Sequence, residues 1–303
     1  MARKPPKIVV IVGPTASGKT ALSLALGERF KGELVSADSC QIYRGMDIGT
    51  AKPTKEEQRL VPHHLIDIKD PNEGYAVAEY KHDAVAAIKK ILERGRLPIM
   101  VGGTGLYVNA VVLNLDIPKV AADPELRKSL EREIEEKGLE AAFKRLIALD
   151  PEAAYVVDPK NPRRIVRALE VALTTGRPFT AQRGKSDPIF DALVIGIDIP
   201  PETLRARIND RIDLMIKNGL VREVEGLVKK YGGDIACLDA IGYRETVAYF
   251  KGECTQADAI AAMKMNTWHY AKRQITWFKK TPGVHWIKTP DEAMQLAHAF
   301  IAR

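Results

Sequence analysis

The chain has 303 residues, 46% of them hydrophobic, enough for one large core or a core plus a smaller inserted domain. Lysine and arginine outnumber aspartate and glutamate by 46 to 39, a formal +7 that favours a polyanionic partner unless it is only a basic surface. Three widely separated cysteines, Cys40, Cys237 and Cys254, form no C-x-x-C pair and support neither a disulfide framework nor a zinc site, which fits a reducing cytoplasm. No run nears the ~20 apolar residues of a membrane span. The run Ile8 to Val12, behind the basic start Met1 to Lys7, is too short for a secretion signal. The expectation is a cytoplasmic protein with no membrane partner.

Ile8-Val9-Val10-Ile11-Val12 reads as a strand buried on both faces, followed by a glycine loop and a helix over Lys19 to Phe30. A second strand, Glu33 to Ser36, ends in Ala37-Asp38-Ser39-Cys40-Gln41, where polar side chains collect at a strand's C-terminal edge. The apolar spacing predicts a helix over Tyr75 to Arg94, a strand over Leu97 to Val101 and another helix after Gly102-Gly103-Thr104-Gly105. This alternation implies an α/β fold: a P-loop NTPase-like core, its parallel sheet flanked by helices.

After Pro118 the pattern turns helical: Asp123 to Lys137, Leu139 to Leu149, then Asn161 to Thr175. Residues 121–190 are read as an all-helical, tRNA-binding insertion, leaving 1–120 and 191–303 as the catalytic core. A strand over Ala192 to Asp198 resumes the sheet. Helices follow over Glu202 to Asn218, Leu220 to Lys230 and Asp258 to Phe278, then a strand over Val284 to Ile287 and a helix over Asp291 to Ile301.

The strongest local signal is Gly13-Pro14-Thr15-Ala16-Ser17-Gly18-Lys19-Thr20, a G-x-x-x-x-G-K-T phosphate loop in its required setting of strand before and helix after. Backbone N–H groups and the helix N-terminus can face phosphate oxygens, Lys19 adds a point charge, and the Thr20 hydroxyl can coordinate Mg²⁺. The loop does not name the phosphate's owner, since hydrolases, kinases and other transferases share it. Asp38 could be a general base or a metal-associated carboxylate.

The stretch Ser36-Ala37-Asp38-Ser39-Cys40-Gln41-Ile42-Tyr43-Arg44-Gly45-Met46-Asp47-Ile48-Gly49-Thr50-Ala51-Lys52-Pro53, together with the loop, resembles the tRNA dimethylallyltransferase family. Further matches are His63 to Asp67, Gly102 to Tyr107, Arg163 to Val171, Gly219 to Val224, Ile241 to Glu245 and Lys272 to Phe278. Cys40 departs from the family, which more often has a larger residue such as Met there. No zinc finger like that of the eukaryotic members follows the last motif, which implies the bacterial type.

The resemblance implies that N6 of the adenosine 3′-adjacent to the anticodon attacks dimethylallyl diphosphate, releasing pyrophosphate, with Mg²⁺ as cofactor. A small-molecule or nucleoside kinase remains the alternative. Asp38 is the candidate for the base, Lys19 and Mg²⁺ at Thr20 are expected to stabilise the leaving pyrophosphate, and by resemblance Arg222 joins them. Arg222 could equally be a solvated charge paired with Glu223. Thr104 could bond the adenine or Asp38, or be a plain N-cap.

The family's contacts near the flipped base resemble Asp38, Ser39, Cys40, Gln41, Thr104, Gly242, Tyr243 and Arg244. Arg163, Arg164 and Arg167 can share one helical face as a phosphate-binding stripe, and Arg127, Ile165 and Val166 are grouped with them as tRNA contacts. Lys264 to Lys288 holds no acidic residue and mixes Trp268, Tyr270, Trp277 and Phe278 with Lys272 and Arg273. From it Lys272, Arg273, Gln274 and Trp277 are expected on the RNA, unless the aromatics are core. The expected partners are thus the tRNA anticodon stem-loop and dimethylallyl diphosphate, met by a monomer.

Overall fold

The computed structural model describes residues 5–118, 120 and 123–303. The basic start, Met1 to Lys4, and the expected first residue of the insertion, 121, lie outside the described residues.

In chain order the core opens with β1 (Lys7–Val12), α1 (Lys19–Arg29), β2 (Gly32–Ser36), α2 (Lys55–Leu60), β3 (His63–His64), α3 (Val77–Glu93), β4 (Leu97–Gly102) and α4 (Gly105–Val112). Next come β5 (Leu115–Asp116), α5 (Pro124–Lys137), α6 (Leu139–Leu149), α7 (Ala153–Val156), α8 (Pro162–Thr175) and β6 (Gly184–Lys185). The chain continues through β7 (Asp191–Ile197), α9 (Pro201–Lys217), α10 (Leu220–Tyr231), α11 (Tyr243–Phe250), α12 (Gln256–Lys279), β8 (Val284–Ile287) and α13 (Pro290–Ala302).

Six strands form one sheet in the order β3-β2-β4-β1-β7-β8, every neighbouring pair parallel. Ile8 to Val12 are fully buried in the middle of it, as expected for a β-branched strand covered on both faces. One face packs on α3 and α4 through Tyr80, Ile88, Val108 and Val111, with Tyr80 and Tyr107 stacked at 3.9 Å. The other face packs on α1 and α13 through Leu22, Leu26, Ala293 and Ala297. Parallel strands place their C-terminal ends on one edge, so the loops after β1, β2 and β4 meet there. The register pairs Val12 with Gly102 and Ser36 with Val101.

The helices α9 to α12 share a separate apolar cluster that includes Ile208, Leu220, Val224, Tyr243 and Met263. Neither α2 nor α11 is among the elements predicted from periodicity: both are short, and α11 is closed by a glycine and the side chain of Glu245.

Residues 113–187 form a compact unit of their own, apart from the unit made by residues up to 112 and 188–303. Its core joins Leu130, Leu146, Ala153, Ile165 and Leu169. It is not all helical: β5 and β6 pair antiparallel, tying Leu115 to Lys185 and bringing the two chain passages together ahead of residue 121. Among the described residues no helix is long and apolar enough to cross a membrane.

Candidate active site

A cleft of about 550 Å³ opens at the strand ends of the larger unit, lined by the phosphate loop, Asp38, Gln41, the segment Thr50 to Pro53, Gly102 and Gly103. The loop leaves the buried end of β1 and turns into α1 through Gly18, whose φ of 97° suits a residue without a Cβ. The N-terminus of α1 thus faces the cleft and favours an anion there. Lys19 Nζ donates to the Pro14 carbonyl at 2.6 Å, so the ammonium lies folded against its own loop. Burial of that ammonium, with Arg211 adding like-charge repulsion and Asp38 pulling the other way, pushes its pKa from 10.5 down to about 7. Ser17 Oγ, in the same loop, is buried without a hydrogen-bond partner, a hydroxyl that an incoming phosphate or water can satisfy.

Asp38 follows β2. Its Oδ1 accepts from the N–H groups of Cys40 (2.9 Å) and Gln41 (3.3 Å), which fixes the carboxylate at the cleft wall. Thr104 follows β4 and ties the two strand ends together: its N–H donates to the Ala37 carbonyl, and its Oγ1 accepts from Ser39 N–H at 3.1 Å. This close seam explains Gly102, where a Cβ would fall 2.1 Å from the Ala37 oxygen. Tyr270 of α12 lines the cleft with its hydroxyl against Thr104, and burial beside Asp38 and Cys40 raises its pKa. Burial, reinforced by Asp38, pushes the Cys40 thiol up to about 12, which makes it unreactive at neutral pH.

Two cationic residues of the cleft were not singled out from the sequence. Arg207 and Arg211 lie four residues apart on α9 and line the cleft, and Arg211 is desolvated there with Asp38 as its opposing charge. Their i, i+4 spacing was the available signal. Arg222, by contrast, is exposed on α10 and does not border the cleft. Its neighbour Glu223 turns inward, where Oε2 accepts from the N–H groups of Asp47 (3.1 Å) and Ile48 (2.7 Å) and Oε1 from Gly49 N–H (3.2 Å). Lys52, its side chain only 4% exposed, braces the same segment through the Tyr43 carbonyl, Asp47 and Asp67. The long segment Ser36 to Pro53 is therefore a cross-braced wall of the cleft.

Several residues expected on RNA are used inside the protein. Tyr243 is fully buried and donates to Glu223 at 2.6 Å, and Gly242 is the N-cap of α11. Gln274 has both ends of its amide engaged within the fold. Trp277 packs on Gly105 beside the sheet core. In the smaller unit Ile165 and Val166 belong to its core. Arg127 grips the buried Glu170 through two 2.9 Å bonds, and Arg167 adds a third at 2.6 Å, so these arginines neutralise a buried carboxylate. Arg163, Arg164, Arg244, Lys272 and Arg273 keep exposed positions, Arg244 pairing with Glu245.

Among the described residues no cluster of three or more His, Cys, Asp or Glu could hold a metal. The cleft offers instead the Thr20 hydroxyl and the Asp38 carboxylate, oxygen donors that fit a hard cation completed by phosphate oxygens and water.

A glycine loop between a parallel strand and a helix N-terminus, with a buried lysine and a carboxylate at the next strand end, defines an α/β protein with a phosphate-loop motif and a carboxylate on one cleft. The family model described as IPP transferase matches residues 41–281, and the chain belongs to that family. It is 46% identical to the tRNA dimethylallyltransferase of Roseiflexus sp. (strain RS-1), covering 98% of this chain and 97% of that protein. Its fold is similar to the full-length tRNA isopentenylpyrophosphate transferase of Bacillus halodurans, with TM-score 0.72, 44% identity and coverage of 98% and 95%. A eukaryotic dimethylallyltransferase acting on tRNA matches with TM-score 0.82 at 27% identity, covering 98% of this chain and 80% of that one.

Proposed function

We propose that this chain transfers the dimethylallyl group of dimethylallyl diphosphate to N6 of the adenosine 3′-adjacent to the anticodon of tRNA. The N6–C1 bond forms, the C1–O bond to the diphosphate breaks, pyrophosphate leaves, and the N6 proton passes to Asp38. The observation that carries this reading is the placement of Asp38 on the same cleft as the phosphate loop, within electrostatic reach of Lys19 and Arg211. An exocyclic amine is a weak nucleophile because its lone pair is delocalised, and a carboxylate that accepts its proton as the bond forms compensates for that. The shared naming of the relatives as tRNA dimethylallyltransferases supports the same reading.

Loop N–H groups, Lys19 and Arg211 stabilise the charge that collects on the leaving pyrophosphate, with Arg207 alongside. Bound Mg²⁺, held by Thr20, would neutralise part of that charge. Ser39 and Thr104 border the carboxylate where the flipped base would enter. Exposed Arg163, Arg164, Lys272 and Arg273 would meet the phosphates of the anticodon stem-loop. The protein works in this reading as a cytoplasmic monomer.

The deciding experiment supplies radiolabelled dimethylallyl diphosphate, ATP, Mg²⁺ and unmodified tRNA. Label entering the RNA as N6-isopentenyladenosine is the expected result. Consumption of ATP with no label in RNA would establish the kinase alternative.

A further inference from the structure

We infer that Gln274 is the positioning residue that keeps the phosphate loop in register with the turn bearing Thr104. β1 and β4 are paired up to Val12 and Gly102, but beyond that point their chains separate and the ladder ends. Two backbone groups past the end, Thr15 N–H and the Gly103 carbonyl, then need partners of opposite kind. Gln274, reaching in from α12, supplies both: its Oε1 accepts from Thr15 N–H at 2.8 Å and its Nε2 donates to the Gly103 oxygen at 3.0 Å. At neutral pH a carboxamide presents an acceptor and a donor from one planar group, which an ionised carboxylate of the same length does not. The residue is 6% exposed, and a Cβ on Gly103 would lie 2.2 Å from Nε2, so the fit leaves no slack.

This bridge has two effects. It consumes Thr15 N–H, and Ser17 N–H donates to the Pro14 carbonyl, so the loop offers a phosphate the N–H groups of Ala16, Gly18 and Lys19. It also fixes the distance between the grip on the leaving group and Thr104, the residue next to Gly103. Transfer chemistry is sensitive to that distance, since a displacement of about 1 Å can cost about a hundredfold in rate.

The inference rests on the proposed transfer only for its kinetic arm; the binding arm uses inorganic pyrophosphate with Mg²⁺ and stands without it. Gln274→Met should weaken pyrophosphate binding about tenfold by calorimetry. It should lower kcat for transfer and leave the affinity for an anticodon stem-loop within about twofold. Gly103→Ala, which pushes the amide from the other side, should give the same split. Gln274→Glu retains the acceptor but loses the donor, so its pyrophosphate affinity relative to wild type at the same pH should recover as the pH is lowered and the carboxyl regains a proton. Loss of stem-loop affinity with pyrophosphate binding intact would make Gln274 an RNA contact and overturn the inference. So would a uniform loss of all three functions in step with thermal stability, or a Gln274→Glu variant without that pH recovery.

Discussion

The Tyr243 hydroxyl donates to Glu223 at 2.6 Å, and through that carboxylate a fully buried tyrosine of α11 governs a loop at the mouth of the cleft. Glu223 collects the N–H groups of Asp47, Ile48 and Gly49, and the cleft wall begins one residue later at Thr50. Removing the carboxylate leaves three backbone donors without their partner. Glu223→Ala should therefore cost about tenfold or more in transfer rate, charged hydrogen bonds contributing about 1.5–3 kcal/mol each. Arg222→Ala, one residue away on the exposed face, should stay within about twofold of wild type. Equal losses in the two variants would refute this division.

Asp38→Asn keeps the shape of the cleft wall and the bonds from Cys40 and Gln41 N–H. It removes the proton acceptor, so single-turnover transfer should fall by about 10²–10⁴ while stem-loop affinity holds. An unchanged chemical step would assign the carboxylate to the metal or to the loop alone.

The lowered pKa of Lys19 has a measurable sign. Near pH 8 a group titrating at about 7 is largely neutral, and an arriving diphosphate pulls a proton onto it. Calorimetry in buffers of different ionisation enthalpy should show more proton uptake on pyrophosphate binding at pH 8 for wild type than for Lys19→Arg, whose charge is permanent. The difference should vanish by about pH 5.5, where both side chains are already charged. Without ligand, the depressed value is a cost to the fold that is absent above 10.5 and complete below about 7. Lys19→Met should accordingly stabilise the free protein most at low pH.

In the smaller unit burial works to raise the pKa of Glu170, but the bonds from Arg127 and Arg167 outweigh it and hold the carboxyl below its usual 4.5. A depressed carboxylate contributes its stability above 4.5 and loses it as the pH falls through the lower folded value. Glu170→Gln leaves two arginines facing a neutral amide and should cost about 3–5 kcal/mol in denaturant unfolding at pH 7. Much of that difference should disappear in acid.

The sheet and its first loop were legible because their determinants are contiguous: a β-branched run, glycines at fixed spacing and a helix period lie within residues 8–29. Arg127 and Gln274 were not legible in the same way. Their partners lie 43 or more residues away in sequence, and a side chain that pairs inside the fold has the same letter as one that meets RNA. Ile165 and Val166 sit between basic residues on α8, yet the helix turns them into the core and leaves only Arg163 and Arg164 of that run outside. Family motifs mark such positions without saying which neighbour matters. In the Gly219 to Val224 motif it is Glu223 that reaches the cleft wall.

Lys52 gives the braced segment a chemical signature. Its ammonium is enclosed by the Tyr43 carbonyl and by Asp47 and Asp67, which withdraw it from solvent. An acylating reagent must reach the amine it modifies, so Lys52 should stay unlabelled while exposed neighbours such as Lys55 react. Its sudden appearance among the labelled lysines would be a readout, at single-residue resolution, that the wall of the cleft has come apart.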